Sequence, residues 1–270
     1  MVEISSKYKI GTRRFGFINW IGAWTLYKKE VLRFLNVWIQ TIFSPLISAL
    51  LFLLVLSLAI GTDRGNVLGV PFINFLAPGL VAMQVIQQSF SHSSSSFMIG
   101  KIQGNIVDIL YAPLSAGEVT IAITLAAVTR SIMIAFISIC IFHLIIDIEI
   151  KNYFTLIAYT FLSSFILGAL GVVAGLWAEK FDHMATVTNF IIIPLSFLSG
   201  TFYTIDKLPS YLQTISKGNP FFYMIDGFRY SFIGQSDGSL IVGLIYLTIL
   251  SFIMWVVAYL LYKKGYKIKS

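Results

Sequence analysis

The stretch Val37–Ile60 decides the fold class. It reads VWIQTIFSPLISALLFLLVLSLAI, 24 residues without one charged side chain. At about 1.5 Å of rise per residue, a helix of this length reaches roughly 36 Å, which is enough to cross the hydrocarbon core of a bilayer. The sequence therefore predicts a transmembrane helix here, with Pro45 as a kink of the kind that packed membrane helices tolerate.

Five further apolar stretches follow the first one along the chain. With it, they give the predicted spans 37–60, 72–98, 119–146, 153–177, 185–203 and 240–262. The predicted fold is an all-α polytopic membrane protein with six transmembrane helices. In the fourth span, Gly168, Gly171 and Gly175 recur at a spacing that favours close packing against another helix.

Composition agrees with a membrane protein. Of the 270 residues, 57% are hydrophobic and only 11% are charged, whereas a soluble domain carries about 25% charged residues. Too few charges remain to cover a globule, which excludes a soluble enzyme, a disordered chain and a free nucleic-acid-binding domain. No nucleic acid partner is expected. The single cysteine, Cys140, excludes a disulfide within the chain.

The segments that flank the spans carry aromatic and basic residues. Between Phe15 and Phe34 these alternate at helical spacing, which predicts an amphipathic helix in the membrane interface. The alternative is a snorkelling extension of the first span. The predicted division is 1–36 for the tail and interface helix, 37–262 for the transmembrane domain and 263–270 for a basic tail.

The segment Ile205–Gln235 is too apolar for a free loop and too interrupted for a span. It splits into Leu208–Ser216 and Phe221–Phe232 at Gly218-Asn219-Pro220. Apolar pieces of this size are typical of re-entrant or interfacial segments. We therefore predict two short external re-entrant helices before the last span.

Charge asymmetry predicts the orientation. If the N-terminus is inside, the inner segments hold 13 lysines and arginines and the outer segments hold 5. The outer residues are Arg64, Lys151, Lys207, Lys217 and Arg229. Because cytoplasmic segments are enriched in Lys and Arg, we expect both termini to be cytoplasmic.

Polar residues within the spans are candidates for a pathway. Gln84, Gln88 and Ser91 lie on the second span, and their amides and hydroxyls need partners or water inside a membrane. Arg130 is an ionisable residue deep in the third span, which makes it a candidate functional residue. The alternative is that its side chain snorkels to the cytoplasmic end of the helix.

Asp226 and Arg229 occupy one face of the second external segment. Their i, i+3 spacing allows a local ion pair. The alternative is that Arg229 meets an anionic headgroup at the membrane surface.

Motifs for catalysis are missing from the sequence. Gly100-Lys101 lacks the upstream glycine and the following Ser or Thr of a phosphate-binding loop. His92, His143 and His183 fall in three separate regions. We therefore predict no catalytic residue, no metal site and no ATPase site in this chain.

Several stretches together resemble the ABC-2 type transporter permease family, and most closely its YadH-like drug-exporter branch. They cover roughly Trp24 to Gly234 and specifically include PLSFLSGTFY at 194–203, LP at 208–209, NP at 219–220 and YMIDGFRY at 223–230. Further stretches are RFLNVWIQT at 33–41, FLAPGL at 75–80, NIVDILYAPL at 105–114 and AEKFD at 178–182. Nodulation-factor and polysaccharide exporters belong to the same family.

The resemblance implies a permease subunit in the inner membrane that pairs with a second copy of itself. It also implies two separate ATPase subunits, which would bind ATP and Mg. The external re-entrant region is then marked by Gly200, Pro209, Asn219, Pro220, Asp226 and Arg229. The substrate is not implied, because the family moves drugs, lipids and glycolipids.

An ATP-driven permease needs a cytoplasmic contact with its ATPase, and Gln103–Leu114 is the predicted coupling helix. Ile106, Ile109 and Leu110 form an apolar stripe at i, i+3, i+4 spacing that a partner groove accepts. The flanking polar residues Asn105 and Asp108 can bond the partner, and Pro113 ends the helix. The alternative is a helix that lies on the membrane surface.

A second function class is an ATP-independent channel or an ion-coupled carrier. Such carriers usually place charged residues in the middle of the membrane. Only Arg130 fits that description in this sequence, and no acidic residue lies deep in a predicted span. The exporter permease is therefore the favoured interpretation.

Overall fold

A computed structural model describes residues 18–60, 65–146 and 148–268. The predicted N-terminal tail up to residue 17 and the last two residues of the basic tail lie outside this part of the chain. Within it, the regular structure is helical, and the only paired extended residues are an isolated bridge between Val67 and Val70. The helices are α1 Trp20–Leu35, α2 Ser44–Ile60, α3 Phe72–Ile102, α4 Ile106–Tyr111, α5 Ala116–Ile146, α6 Tyr153–Trp177, α7 Phe181–Val187, α8 Ile193–Leu198, α9 Ser210–Gly218, α10 Pro220–Ile233 and α11 Leu240–Lys263.

Five continuous helical segments in the described ranges are long and apolar enough to cross a membrane. They are Ile39–Ala59, Ala116–Ile146, Tyr153–Trp177, Phe181–Leu198 and Leu240–Lys263. The all-α polytopic class is therefore confirmed. The predicted second span falls in α3, which has 31 residues but is not among these five, because glutamines and serines dilute its apolar side chains.

Helix α3 is the centre of the bundle and packs against both α5 and α6. Its serine-rich half is buried there, and the hydroxyl of Ser89 donates to the carbonyl of Ser164 on α6. A Cβ at Gly171 would lie 2.6 Å from the carbonyl oxygen of Phe90, and one at Gly175 would lie 2.8 Å from that of Ser94. The small residues of α6 therefore permit direct contact with the backbone of α3.

Two helices contain a wide π-helical turn just before a proline. Residues Ile39–Phe43 precede Pro45, and Thr188–Ile192 precede Pro194. A proline ring clashes with the carbonyl four residues earlier and offers no N–H, so a widened turn lets each helix continue. Pro45 and Pro194 therefore re-aim these helices without ending them.

The helix that corresponds to the fifth predicted span is called the fifth apolar helix below. It begins and ends earlier than the predicted span 185–203. It runs from Phe181 to Leu198 through the π turn. Gly200 then adopts a left-handed conformation with φ +77°, and the hydroxyl of Thr201 donates to the carbonyl of Ser196 at 2.7 Å. Because a left-handed residue ends a helix, the predicted stretch up to Tyr203 becomes a turn.

The two short helices before the last span have unequal surroundings. Helix α10 lies against α3 and α6 and buries most of its side chains. Helix α9 exposes Tyr211 and Ile215 on one face. The predicted pieces Leu208–Ser216 and Phe221–Phe232 thus correspond to α9 and α10, but α10 is enclosed by protein, which satisfies the requirement for short helices at membrane depth.

Candidate functional site

Helix α4 is the centre of the predicted coupling segment. Gly104, with φ +74°, reverses the chain after α3, and the helix occupies only Ile106–Tyr111. Its exposed face carries Val107, Asp108 and Tyr111, the last with 86% of its surface accessible. This face is available to a partner.

The predicted orientation of the apolar stripe on α4 is wrong in part. Ile106 is buried, and Ile109 packs against the same apolar cluster, which includes Phe97, Tyr262 and Ile268. Only Leu110 of the stripe is exposed. The helix is so short that its apolar residues are needed to hold it on the rest of the chain, and the polar side is left outward.

A cavity of about 400 Å³ lies between the start of α1 and the exit from α4. Asn19, Gly22 and Lys29 line one wall. Asp108 and Pro113 line the other. The cavity therefore joins the coupling segment and the N-terminal helix in one concave surface.

Glu118 and Asn19 fix the geometry of this cavity. The side-chain amide of Asn19 donates to the carbonyl of Pro113 at 3.0 Å, and its backbone N–H donates to Glu118 Oε1 at 2.6 Å. The other carboxylate oxygen of Glu118 accepts from the N–H of Ser115 at 2.7 Å, while Ser115 Oγ accepts from the N–H of Glu118 at 3.3 Å. This reciprocal pair is a capping box at the start of α5, and its S-x-x-E spacing is visible in the sequence.

The C-terminal tail packs into the apolar cluster that holds α4 in place. After α11 the chain turns at Gly265 and Lys267, both with positive φ, and buries Ile268 in the apolar cluster that holds Ile106. The ammonium of Lys267 donates to Glu179 at 2.7 Å and lowers the pKa of that carboxyl. The tail and the turn after α6 therefore meet beside the coupling segment.

Gln84 joins three helices and is almost fully buried. Its amide N–H donates to the carbonyl of Pro45 at the start of α2, and its Oε1 accepts from Ser138 on α5 at 3.4 Å. Gln84 also borders a cavity of about 240 Å³ lined by Phe52, Gln87 and Phe197. The side chain therefore has protein partners as well as a place beside a cavity.

Gln88 and Arg130, two separately predicted pathway residues, contact each other. Arg130 donates from Nη2 to Gln88 Oε1 at 2.6 Å. The guanidinium therefore turns toward α3 instead of extending toward the end of α5. Ser91, one turn along α3, is exposed.

Arg33 from α1 reaches the same face of α3. It pairs with Glu30 at 2.9 Å and donates to the carbonyl of His92 at 3.0 Å and to the hydroxyl of Ser95 at 3.4 Å. His92 is completely buried, and its ring meets Phe34 edge-on. The sequence prediction missed Arg33 because its partners are 59 to 62 residues away along the chain.

Arg229 and Asp226 lie at the opposite end of the bundle without the predicted direct ion pair. Arg229 donates from Nη2 to the carbonyls of Gly200 and Thr201 at 2.7 and 3.1 Å, and its guanidinium carbon lies 3.9 Å from the centre of the Phe75 ring. Only 1% of Arg229 is exposed, so the predicted headgroup contact is also not available. Asp226 accepts instead from the N–H groups of Asp237 and Gly238 at 2.9 and 3.0 Å.

The other external motif residues build turns. Asn219 caps α10, with its Oδ1 accepting from Phe221 N at 3.1 Å, while its amide donates to Ser199 Oγ at 2.8 Å. Pro220 is the first residue of α10, where a missing N–H costs nothing. Pro209 precedes α9 in the same way. These residues fix the connection between the fifth apolar helix and α10.

Comparisons with known proteins agree with the predicted resemblance. The family model for the ABC-2 type transporter matches residues 22–233. The inner membrane transport permease YadH of Escherichia coli K12 is 28% identical over 251 residues, which cover 93% of this chain and 98% of YadH. Nodulation protein J of Rhizobium leguminosarum bv. viciae is 26% identical over 233 residues, covering 84% of this chain and 86% of that protein. The matched range contains every predicted site residue.

Proposed function

The chain belongs to the ABC-2 type transporter family, and we propose that it is the permease subunit of an ATP-driven exporter. In this proposal two copies pair in the inner membrane and bind two separate ATPase subunits, which hold the ATP and Mg. The substrate is a drug, a lipid or a glycolipid. The chain itself carries out transport and not hydrolysis.

The proposed topology has six spans, with α3 as the second, and both termini in the cytoplasm. A helix of 31 residues reaches roughly 46 Å, and several polar side chains of α3 are hydrogen-bonded to other helices, among them Gln84, Gln88 and Ser89. The excess of Lys and Arg in the segments assigned to the inside supports the orientation. Helix α1 then lies at the inner interface with Trp20 and Trp24 exposed.

The observation that carries the proposal is the concave surface between α1 and α4. It combines an exposed polar face on α4 with a cavity of about 400 Å³, and its walls are tied together by Asn19 and Glu118. A surface of this kind accepts a ridge from a partner protein, and a movement of α4 would be transmitted to α3, which α4 contacts. A rigid contact is what a permease needs to respond to ATP binding in another chain.

The proposed homodimer places the pathway between the two copies. The cavity lined by Phe52, Gln87 and Phe197 lies between α2, α3 and the fifth apolar helix. The helices α2 and α11 expose long apolar faces, which lipid or a second copy would cover. These features support the pairing.

Co-purification with the ATPase tests the proposed function. Tagged permease isolated from native membranes should bring down a polypeptide with a Walker motif and ATP hydrolysis activity. The double variant Asp108→Lys, Tyr111→Ala, which changes only exposed residues of α4, should lose most of that activity while it remains folded and inserted. Lys217→Asp, a charge reversal on exposed α9, serves as the control. Undiminished ATPase recovery with the double variant would show that α4 is not the transmission contact.

A further inference from the structure

Three helices bring basic side chains to one place on α3. Arg33 comes from α1, His92 belongs to α3, and Arg130 comes from α5. Arg33 is bound at His92, and Arg130 is bound at Gln88, four residues earlier on the same face of α3. At about 1.5 Å of rise per residue, the two attachment points are about 6 Å apart along the helix.

The charges of this cluster do not cancel. Glu30 is its single carboxylate, and Glu30 already pairs with Arg33 at 2.9 Å. Arg130 has only the neutral amide of Gln88 as a partner, and over the described ranges no carboxylate lies within 4.0 Å of it. Arg33, Arg130 and Glu30 together leave the cluster with one net positive charge. Burying an uncompensated guanidinium is costly, and an anion would remove that cost.

Two buried nitrogens in the cluster have unused hydrogen-bonding capacity. Nε of Arg130 and Nε2 of His92 have no hydrogen-bond partner in the part of the chain that the structure describes. His92 is 0% exposed, and its Nε2 lies 3.8 Å from Glu30. Buried polar atoms are normally bonded, so these two donors or acceptors indicate that the cluster is incomplete without a further group.

In the proposed topology the cluster lies at the cytoplasmic end of the hydrocarbon core, with Arg130 about one turn inside it. About 20 helical residues cross the hydrocarbon core. Counted from Phe72 along α3, that length reaches His92, and counted back from Ile146 along α5 it ends one turn beyond Arg130. The nearby Trp38 is exposed, as tryptophans at membrane interfaces are. The side chain of Arg33 is 27% exposed, so the cluster is open to a molecule in that leaflet.

We propose that Arg33, Arg130 and His92 form a binding site for a phosphate group carried by an amphipathic molecule. The guanidinium groups are suited to phosphate because they offer several N–H donors and stay charged. The phosphate comes from a membrane phospholipid or from a substrate that enters from the same leaflet. The inference rests on the proposed permease function only for the fate of that ligand, because the cluster itself stands on the contacts given above.

Lipid retention by the purified permease tests the site. Full-length protein in detergent is mixed with dioleoyl phosphatidylglycerol or with dioleoylglycerol, which lacks the phosphate, and the bound lipid is counted by native mass spectrometry. Phosphatidylglycerol should be retained in preference to diacylglycerol. The double variant Arg33→Gln, Arg130→Gln should bind phosphatidylglycerol at least about tenfold more weakly, as expected for the loss of hydrogen bonds to a charged group.

Matched variants separate charge from folding. Lys28→Gln removes an exposed positive charge from the same helix α1 and should retain the lipid like the unmodified chain. Arg130→Lys keeps the charge and should bind within a few-fold. Arg33→Gln alone alters the more exposed guanidinium. If Arg130→Gln does not fold, the weaker lipid binding expected of Arg33→Gln is the test of the site. Only monodisperse preparations are compared.

Competition with inorganic phosphate shows whether the apolar chains of the lipid contribute to binding. Displacement of phosphatidylglycerol by phosphate supports a site that recognises the anion alone. Retention of phosphatidylglycerol in the presence of phosphate supports a site that also needs the apolar chains. Equal retention of diacylglycerol, or undiminished retention by the double variant, would overturn the proposal. The test uses the permease alone, so a failure of ATPase coupling leaves its outcome unchanged.

Discussion

An arginine lies toward each end of the helix bundle, Arg229 buried and Arg130 half-buried, and the surroundings of the two side chains differ. Arg229 has two backbone carbonyls, the face of Phe75 and the nearby negative charges of Asp226 and Asp237. Arg130 has one amide and the positive charge of Arg33 nearby. Arg130 is bonded to α3 itself, and Arg229 is bonded to a turn that packs on α3.

Because their surroundings differ, we assign the two arginines different roles: Arg229 stabilises the fold, and Arg130 binds a ligand. Arg229 ties the turn after the fifth apolar helix to α10 through Nη2, which donates to two carbonyls, although its Nε, like that of Arg130, has no hydrogen-bond partner among the described residues. A Cβ at Gly79 would lie 2.9 Å from Nη2 of Arg229 and 2.8 Å from the carbonyl of Thr201, so α3 closes over the guanidinium. The cluster around Arg130 is loosely filled and open at Arg33. In the proposed orientation Arg229 is the outer arginine, and Arg33 and Arg130 are the inner arginines. We expect the outer arginine to govern stability and the inner arginines to govern ligand binding.

The largest effect is expected from Arg229→Ala. Removing the side chain leaves two buried carbonyls without their donor and Asp226 without its neighbouring positive charge, which should destabilise the chain by about 3–5 kcal/mol. Thermal unfolding in detergent, followed by size-exclusion fluorescence, measures the loss. Arg130→Gln should unfold within a few degrees of the unmodified chain. Similar large losses for both variants would remove the distinction.

Stability should fall as the pH rises through about 6. Burial raises the pKa of Asp226 from 3.8 to about 6, against the opposing effects of the Asp237 N–H and the charge of Arg229. Since the folded-state pKa is the higher one, the stabilisation is fully present below 3.8 and is lost as pH rises through about 6. The difference corresponds to at most roughly 3 kcal/mol.

Asp226→Asn provides the control for this pH dependence. The variant keeps the shape but cannot ionise, so its unfolding midpoint should vary less between pH 4 and 7. The carboxyl of Asp237, whose pKa is also raised by burial, contributes in the same direction and leaves a residual slope. If the unfolding midpoint of Asp226→Asn depends on pH as strongly as that of the unmodified chain, groups other than Asp226 cause the effect.

A methyl group added at the outer end should be more disruptive than one added at the inner end. A Cβ at Gly227 would lie 2.1 Å from the ring of Tyr159, whereas one at Gly117 would lie 3.9 Å from Tyr259. Gly227→Ala should therefore cost about 1–3 kcal/mol, and Gly117→Ala should stay within about 0.5 kcal/mol. Denaturant midpoints of the two variants check the contrast, which fails if Gly117→Ala is the more damaging change.

A smaller effect than that of Gly227→Ala is expected from Gln88→Ala. Arg130 loses its only hydrogen-bonded side-chain partner, which should cost about 0.5–1.5 kcal/mol. Phosphatidylglycerol should then restore part of the lost stability, because the phosphate gives the guanidinium a new partner. Unfolding midpoints with and without the lipid measure both parts. A loss as large as that of Arg229→Ala would mean that the inner site is structural as well.

The sequence was sufficient for the helical class and the family because both depend on local signals. Apolar runs locate the long helices, and motifs such as Asn219-Pro220 mark a capped helix start that the structure contains. The capping box of Ser115 and Glu118 was readable by the same spacing rule. Its bond to Asn19 was not, because that contact joins residues 99 positions apart.

The candidate sites were harder to predict for physical reasons. Gln88 and Arg130 were each recognised as costly in a membrane, but their pairing depends on how α3 and α5 are rotated. The i, i+3 spacing of Asp226 and Arg229 suggested an ion pair, whereas backbone carbonyls and N–H groups, which carry no residue signature, became the partners. For α4, apolar periodicity located the helix but left open whether its own chain or a partner covers the stripe.

The most direct measurement compares lipid-dependent stabilisation in the two arginine variants. Unfolding midpoints of the unmodified chain, Arg229→Lys and Arg130→Gln are recorded with increasing phosphatidylglycerol, since a ligand that binds only the folded state raises stability with its concentration. We predict that Arg229→Lys starts lower and gains as much from the lipid as the unmodified chain, while Arg130→Gln starts near normal and gains little. Equal lipid-dependent gains in Arg130→Gln and the unmodified chain would contradict the distinction between a structural outer arginine and a ligand-binding inner one.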